Sequence, residues 1–393
     1  MKQAPSTFPR RPPWWRRPQV QAWLLQALLL AAVLGAIVWM FGNALDNLAR
    51  QGIASGFGFW NERAGFAIAT SLIEYSETST YGRAFLVGLL NTLLVSALGV
   101  VFATVLGFLI GIARLSPNWL IRQWAAAYIE LVRNVPLLLQ IFFWYFAVLR
   151  PLPQPRHSIE LLGLAYLNNR GLYLPKPILE PGFGWLSAAL LLGLVGCLLW
   201  LRRARREAGS DRGLRYWLIA GLLLLAPAAA VSLAVGLPLG WELPEFRRFN
   251  FRGGLVLSPE FVALLTALST YTAAFIAEIV RAGIQSVSQG QREAAYSLGL
   301  SPGQTLRHVV LPQAMRVIVP PLTNQYLNLT KNSSLAAAIA YPDLVSVFAG
   351  TVLNQTGQAV EVIGVTMAVY LTISLVIAAL MNWYNRRVAL VER

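Results

Sequence analysis

The chain has 393 residues, of which 56% are hydrophobic and only 12% charged. A soluble globular protein carries about a quarter charged residues, so the composition excludes that class and points to an all-α integral membrane protein. In such a protein a net charge of +15 reports topology rather than nucleic acid, and a single cysteine (Cys197) with two histidines (His157, His308) leaves no internal disulfide or cysteine metal cluster and little for histidine chemistry.

Residues 1–21 place Lys2, Arg10, Arg11, Arg16 and Arg17 among prolines and read as a basic tail, with Trp14 and Trp15 suited to a membrane interface. Residues 22–42 supply the roughly 20 apolar residues that cross a bilayer. The run is long for a signal peptide and has no clear small-x-small cleavage site. Residues 43–84 are mixed and Gly-rich and read as an external segment. A second span covers 85–112, with Asn91 and Thr92 facing either a pore or another helix. The third, 123–149, is interrupted by Pro136, which removes a helix hydrogen bond and disfavours helix just before it, so a kink or broken helix is expected. Glu130 and Arg133 stand at i and i+3 there and can pair, as a structural ion pair or as a gate.

Residues 150–182 read as a Pro-rich loop. Two bland spans, 183–201 and 216–236, flank an arginine run over 202–215 that reads as a topological anchor, with anionic-lipid binding as the alternative. A sixth span, 259–281, opens with Ser258 and Pro259 and ends with Glu278 and Arg281 as a structural pair. The next stretch, 288–312, is a polar island that reads as two short capped helices. Ser288 and Gln291 have the form of a capping box, Gly299 supplies a left-handed stop, and Ser301-Pro302-Gly303-Gln304 repeats the start signal before closure at Pro312. The seventh span, about 317–339, is unusually polar, and the eighth is 362–383. With about eight spans and the N-terminus inside, 20 of the 32 Lys and Arg residues fall on the cytoplasmic side, 10 outside, and Arg133 and Lys331 within spans. The positive-inside bias therefore puts both termini and the polar island in the cytoplasm.

A charge at membrane depth costs about 2.5–3.5 kcal/mol on insertion scales and asks for a reason. The seventh span holds Asn324, Gln325, Asn328, Lys331 and Asn332, of which four share one helix face. That face either lines a water-filled path, with Lys331 able to meet a carboxylate, or glues helices together by hydrogen bonds. No phosphate-binding loop exists: Lys2, Lys176 and Lys331 are the only lysines and none follows glycine. Hydrolase and zinc-protease signatures are absent too, so any ATP must be hydrolysed by another subunit.

EAAYSLGLSPGQTLRHVVLP resembles the EAA loop of permease subunits of bacterial ABC importers, matched at Glu293, Ala294, Ala295, Gly299, Leu311 and Pro312. YIELVRNVPLLLQIFFWYF is similar to the companion signature of the polar amino-acid uptake subfamily, carried by Glu130, Arg133, Pro136, Leu137, Leu138 and Gln140. LTKNSSLAAAIAYPDLVSVFAGTVLNQTGQAVE and GFWNERAGFAIATSLIEYSETSTYGRAFLVGLLNTL resemble the general L-amino-acid permeases. The resemblance implies a five-helix ABC importer type I core, split into 85–149 and 259–385, with an extra helix at 22–42, an insertion over 150–258 containing two further helices, and a tail at 386–393. It implies a plasma-membrane (bacterial inner-membrane) importer of L-amino acids built from two permease chains, often non-identical, two ATPase subunits that bind ATP and Mg2+, and an external solute-binding protein. Glu293, Ala294, Ala295, Gly299, Leu311 and Pro312 would then form the ATPase contact, and this chain would hold no cofactor. The alternative is a secondary transporter driven by an ion gradient, with coupling ions at broken helices. An intramembrane transferase is disfavoured by the lack of clustered His, Asp or Glu at membrane depth.

Overall fold

The computed structural model describes residues 18–50, 56–207, 214–236 and 239–388. Most of the basic tail, including Trp14 and Trp15, the centre of the arginine run and residues 389–393 lie outside the described residues. The helices are α1 (Pro18–Arg50), α2 (Tyr81–Ala113), α3 (Trp119–Asn134), α4 (Leu137–Phe142), α5 (Phe183–Glu207), α6 (Leu214–Val235), α7 (Pro259–Gln285), α8 (Gln289–Ser297), α9 (Pro302–Thr305), α10 (Leu311–Asn332), α11 (Leu353–Thr356) and α12 (Ala359–Val388). Among the described residues, α1, α2, α5, α6, α7 and α12 are long and apolar enough to cross a membrane. A seventh candidate is broken: α3 and the run of α4 with its π-helical continuation Phe143–Leu149 meet at 107°. The polar span expected over 317–339 corresponds to α10 followed by a 3-10 turn, Ser333–Ile339. Its amides and lysine keep it from qualifying by apolarity alone.

The chain divides into two compact units. The first comprises Met1–Leu89 and Leu344–Ile373, and its core is aromatic. Phe59, Tyr81, Phe85 and Phe348 are buried, and the Phe85 and Phe348 rings meet edge to face with centroids 5.1 Å apart.

In the second unit, Leu90–Asp343 and Ser374–Arg393, α7 is the central element. Ala263, Leu264, Ala267, Ile276, Ala277 and Val280 along it are fully buried. Lipid tails give helices no hydrophobic reason to associate, so close packing must do so, and small residues permit it. On α2 that role falls to Gly107 and Gly111: a Cβ on Gly107 would lie 2.6 Å from Ile276 Cβ, and one on Gly111 2.7 Å from the Ala277 carbonyl oxygen. Overpacking usually costs about 1–3 kcal/mol, and here backbone blocks relaxation. Gly107→Leu should therefore lower the thermal unfolding midpoint of the detergent-solubilised chain by several degrees. Gly364→Leu, at a position with open space around it, should leave that midpoint unchanged.

The insertion departs from the expected loops. Eight short strands lie there: β1 (Ile159–Leu161), β2 (Ala165–Asn168), β3 (Gly171–Leu174), β4 (Lys176–Leu179), β5 (Leu239–Glu242), β6 (Glu245–Arg247), β7 (Asn250–Arg252) and β8 (Leu255–Leu257). They form an antiparallel sheet ordered β1-β2-β3-β8 and two pairs, β4 with β5 and β6 with β7. Tyr166 stacks on Phe251 at 4.5 Å, and the buried Tyr173 hydroxyl donates to Asn250 Oδ1 at 2.9 Å. The helices α5 and α6 stand between the two halves in sequence and pack on one another.

Candidate functional site

The polar island is a folded loop in which a different serine does the capping. Ser288 makes no side-chain cap bond at the start of α8; Gln289 Nε2 instead donates to Glu293 Oε1 at 2.9 Å. The full capping box sits at Ser301, whose N–H donates to Gln304 Oε1 at 2.9 Å while the Gln304 N–H reaches Ser301 Oγ at 3.4 Å. Between them Gly299 takes φ +77°, the left-handed conformation that ends α8, and its N–H donates to the Tyr296 carbonyl at 2.9 Å.

The second helix does not close before Pro312. From α9 the chain runs through a π-helical turn, Leu306–Val310, directly into α10. Proline breaks a helix because it lacks an N–H and its ring strikes the carbonyl four residues back; a wider turn immediately before it relaxes both demands. The loop is thereby fixed to a long helix rather than hung from a hinge.

Of the residues expected at the ATPase contact, Glu293, Ala294, Gly299, Leu311 and Pro312 are exposed. Ala295 is not: at 3% exposure its methyl faces its own chain, so close approach of a partner falls to Ala294. Arg292 and Gln313 brace the loop from behind. Arg292 Nη2 donates to the Ile284 carbonyl at 2.9 Å, and Gln313 Nε2 to Gln291 Oε1 at 3.3 Å, tying α8 to both α7 and α10. Tyr296, Leu298 and Leu306 are large apolar side chains left exposed on the same loop, Leu298 at 81%. Sequence reading passed over them, although apolar residues inside a polar island were the available signal.

On α10, Asn324, Asn328 and Lys331 are exposed, with Gln325 and Asn332 half-buried. The opposite side of the helix, carrying Ile318, Leu322, Leu329 and Thr330, is buried against the rest of its unit. No side chain of the five polar residues hydrogen-bonds another group among the described residues. Contact with α2 is made instead by Tyr326, whose hydroxyl lies 2.9 Å from Thr104 Oγ1, and by Leu329 beside Gly99. Helix-to-helix gluing by those five residues thus finds no partner within the described chain. Asn91 and Thr92 are buried, and Asn91 Nδ2 donates to the Pro342 carbonyl at 2.9 Å, which gives Asn91 a packing role.

The broken span forms for the anticipated reason: Val135, before Pro136, is extended at φ −98° and ψ 127°. Gln140 then repairs the break. Its Nε2 donates to the carbonyls of Val132 at 2.8 Å and Val135 at 2.9 Å, satisfying acceptors that the interrupted helix leaves without amide donors. The pairing expected of Glu130 and Arg133 does not occur among the described residues. Both are exposed, and the Arg133 guanidinium lies over the Phe275 ring at 5.0 Å. A spacing of three residues allows a pair without requiring one, and the aromatic face competes for the cation. Glu278 and Arg281 do pair, with Arg281 Nε donating at 3.0 Å.

Residues 232–390 match the family model described as binding-protein-dependent transport system inner membrane component. The putative amino-acid ABC transporter permease protein YhdX of Escherichia coli (strain K12) is 57% identical over 379 residues, covering 96% of each chain. The general L-amino acid transport system permease protein AapQ of Rhizobium johnstonii is 50% identical over 96% of this chain and 94% of its own. The glutamate/glutamine/aspartate/asparagine transport system permease protein BztB of Rhodobacter capsulatus is 44% identical over 94% of each. Proteins of this kind work with ATPase and permease partners and are transport components rather than enzymes. With identity this high over nearly the whole length, the chain belongs to the family of binding-protein-dependent transport system inner membrane components and is a multi-pass permease subunit of an ABC transporter.

Proposed function

We propose that this subunit forms one half of the translocation path of an ATP-driven importer of L-amino acids. The observation that carries the reading is the outward-facing polar side of α10. The side chains of Asn324, Gln325, Asn328, Lys331 and Asn332 are without hydrogen-bond partners among the described residues, while the opposite side of the helix, with Ile318, Leu322, Leu329 and Thr330, is buried. Polar groups in that position are stable only if another surface or water meets them. A second permease chain, identical or not, placed against this face closes a wet path between the two, and Lys331 is then free to attract a substrate carboxylate. The amino-acid substrate is inferred from the names of the relatives.

The loop 288–312 is the contact for an ATPase subunit that binds ATP and Mg2+, with one ATPase for each permease chain. Both termini and this loop lie in the cytoplasm of a cell bounded by the inner membrane, in keeping with the distribution of Lys and Arg. An external solute-binding protein delivers substrate. Reconstitution tests the whole reading. Uptake of labelled L-amino acids into proteoliposomes should require this chain, a permease partner, the ATPase, the binding protein and internal ATP together. Uptake by the purified chain alone under an ion gradient would replace it with a secondary transporter.

A further inference from the structure

The insertion carries a feature that transport as proposed does not use. In its β module a cavity of about 350 Å3 is lined by Gln154, Arg156, Asn169, Arg170, Arg248 and Phe249, among others, and by no acidic residue. Arg156, Arg170 and Arg248 are exposed, and among the described residues none forms an ion pair or a side-chain hydrogen bond. Arg247, next to them, is by contrast paired with Glu245 at 3.0 Å. Arg248 occupies the turn between β6 and β7 at φ +56°, a conformation that glycine or asparagine adopts at lower cost. Backbone strain of this kind collects where a side chain must be aimed. Three guanidinium groups around one cavity repel each other, and a phosphate, which accepts paired N–H donors from arginine, relieves that repulsion.

The surroundings indicate where such a phosphate comes from. The module is joined to α5, α6 and α7 by connections of three residues or fewer. An extended residue spans about 3.5 Å, so those strand ends lie within roughly 14 Å of the ends of membrane helices, at the level of lipid headgroups. A neighbouring cleft of about 670 Å3 shares Arg156 and Phe246 with the cavity and adds apolar walls from Leu164, Tyr166, Leu243 and Phe251. Its two carboxylates are Glu160 and Glu245, the latter paired with Arg247, so the phosphate belongs in the arginine cavity and only the apolar end in the cleft. Phe249, beside Arg248, is 79% exposed. Cationic and aromatic groups side by side suit a ligand that is anionic at one end and apolar at the other.

We propose that the three-arginine cavity binds the headgroup phosphate of an anionic phospholipid and so holds the insertion against the membrane surface. The full-length chain, purified in a neutral detergent, is mixed with dioctanoyl phosphatidylglycerol, dioctanoyl phosphatidylcholine or inorganic phosphate, and bound adducts are counted by native mass spectrometry. The wild-type chain should retain phosphatidylglycerol about tenfold better than phosphatidylcholine, a difference of the size expected for charge-assisted bonds. Arg156→Gln and Arg248→Gly should each remove most of that preference, whereas Arg247→Gln should keep it. Arg248→Gly also relieves the strained turn, so its thermal midpoint should stay level or rise, which separates lost binding from lost folding. Equal retention by wild type and the Arg156 and Arg248 variants would overturn the proposal. So would inorganic phosphate binding as tightly as the lipid, which would make this a free-anion site. If the wild type showed no lipid preference and Arg248→Gly weakened only the attachment of an acidic soluble protein, the cavity would instead be a protein contact, and the proposal would fall.

Discussion

A Gly299→Val chain should insert and fold normally yet support ATP-driven uptake about tenfold more slowly, with ATP hydrolysis no longer matched to transport. The reason is conformational rather than steric. A Cβ on Gly299 would meet nothing within 4 Å, but the backbone there has φ +77°. The left-handed conformation costs an L-residue about 1–2 kcal/mol, with β-branched side chains at the unfavourable end. That is small against a typical folding stability of about 5–15 kcal/mol, so the spans survive. It is large for one turn, because it lowers the population of the native turn by a factor of about five to thirty. If the ATPase grips the loop in its native shape, coupling falls in proportion. Gly299→Asn supplies the control, since asparagine tolerates the left-handed region and should retain most of the uptake. Uptake and ATPase rates are compared in proteoliposomes holding the complete transporter. Tight coupling in the valine variant would show that the turn at Gly299 is not part of the docking surface.

What could be read in the sequence was what local chemistry determines. The long apolar runs gave the helices, Pro136 gave the break with its extended residue before it, and Gly299 gave the left-handed stop. The i,i+3 pair of Glu278 and Arg281 formed as its spacing allowed. The same spacing in Glu130 and Arg133 did not pair, because Phe275, more than a hundred residues away, lies under the guanidinium. Capping signals were equally ambiguous: Ser288 and Ser301 both carry the pattern, and only the fold decides that Ser301 uses it. The strands escaped notice because all are three or four residues long, and two of their five pairings, β3 with β8 and β4 with β5, cross the two intervening helices. So short a strand has no alternation to detect, and its stability resides in the strand it pairs with rather than in its own residues. Gln140 was singled out by resemblance, but its work as a donor to two carbonyls became visible only with the bend in place.

Lys331→Ala should give the other large effect, and in the opposite direction for stability. On the proposed reading Lys331 is a cation at membrane depth, whose removal relieves a cost of up to about 2.5–3.5 kcal/mol on insertion scales, and alanine is the best helix former, so the variant should be at least as stable as the wild type. Packing of α10 should not suffer, because its buried contacts come from Ile318, Leu322 and Leu329 on the other side. Uptake should nevertheless drop. A charge-assisted bond to a carboxylate contributes about 1.5–3 kcal/mol, which corresponds to roughly ten- to a hundredfold in rate or affinity. Asn328→Ala, which removes only a neutral amide from the same face, should lower uptake by a smaller factor. Initial rates of labelled amino-acid uptake, measured beside thermal unfolding of the same preparations, separate the two roles. A Lys331→Ala transporter with normal rate and substrate range would mean that this face meets lipid or a partner helix without lining the path. Loss of uptake together with loss of folding would assign Lys331 to packing. The expected combination, a stable protein that transports poorly, is the one that a path-lining Lys331 produces and a packing residue does not.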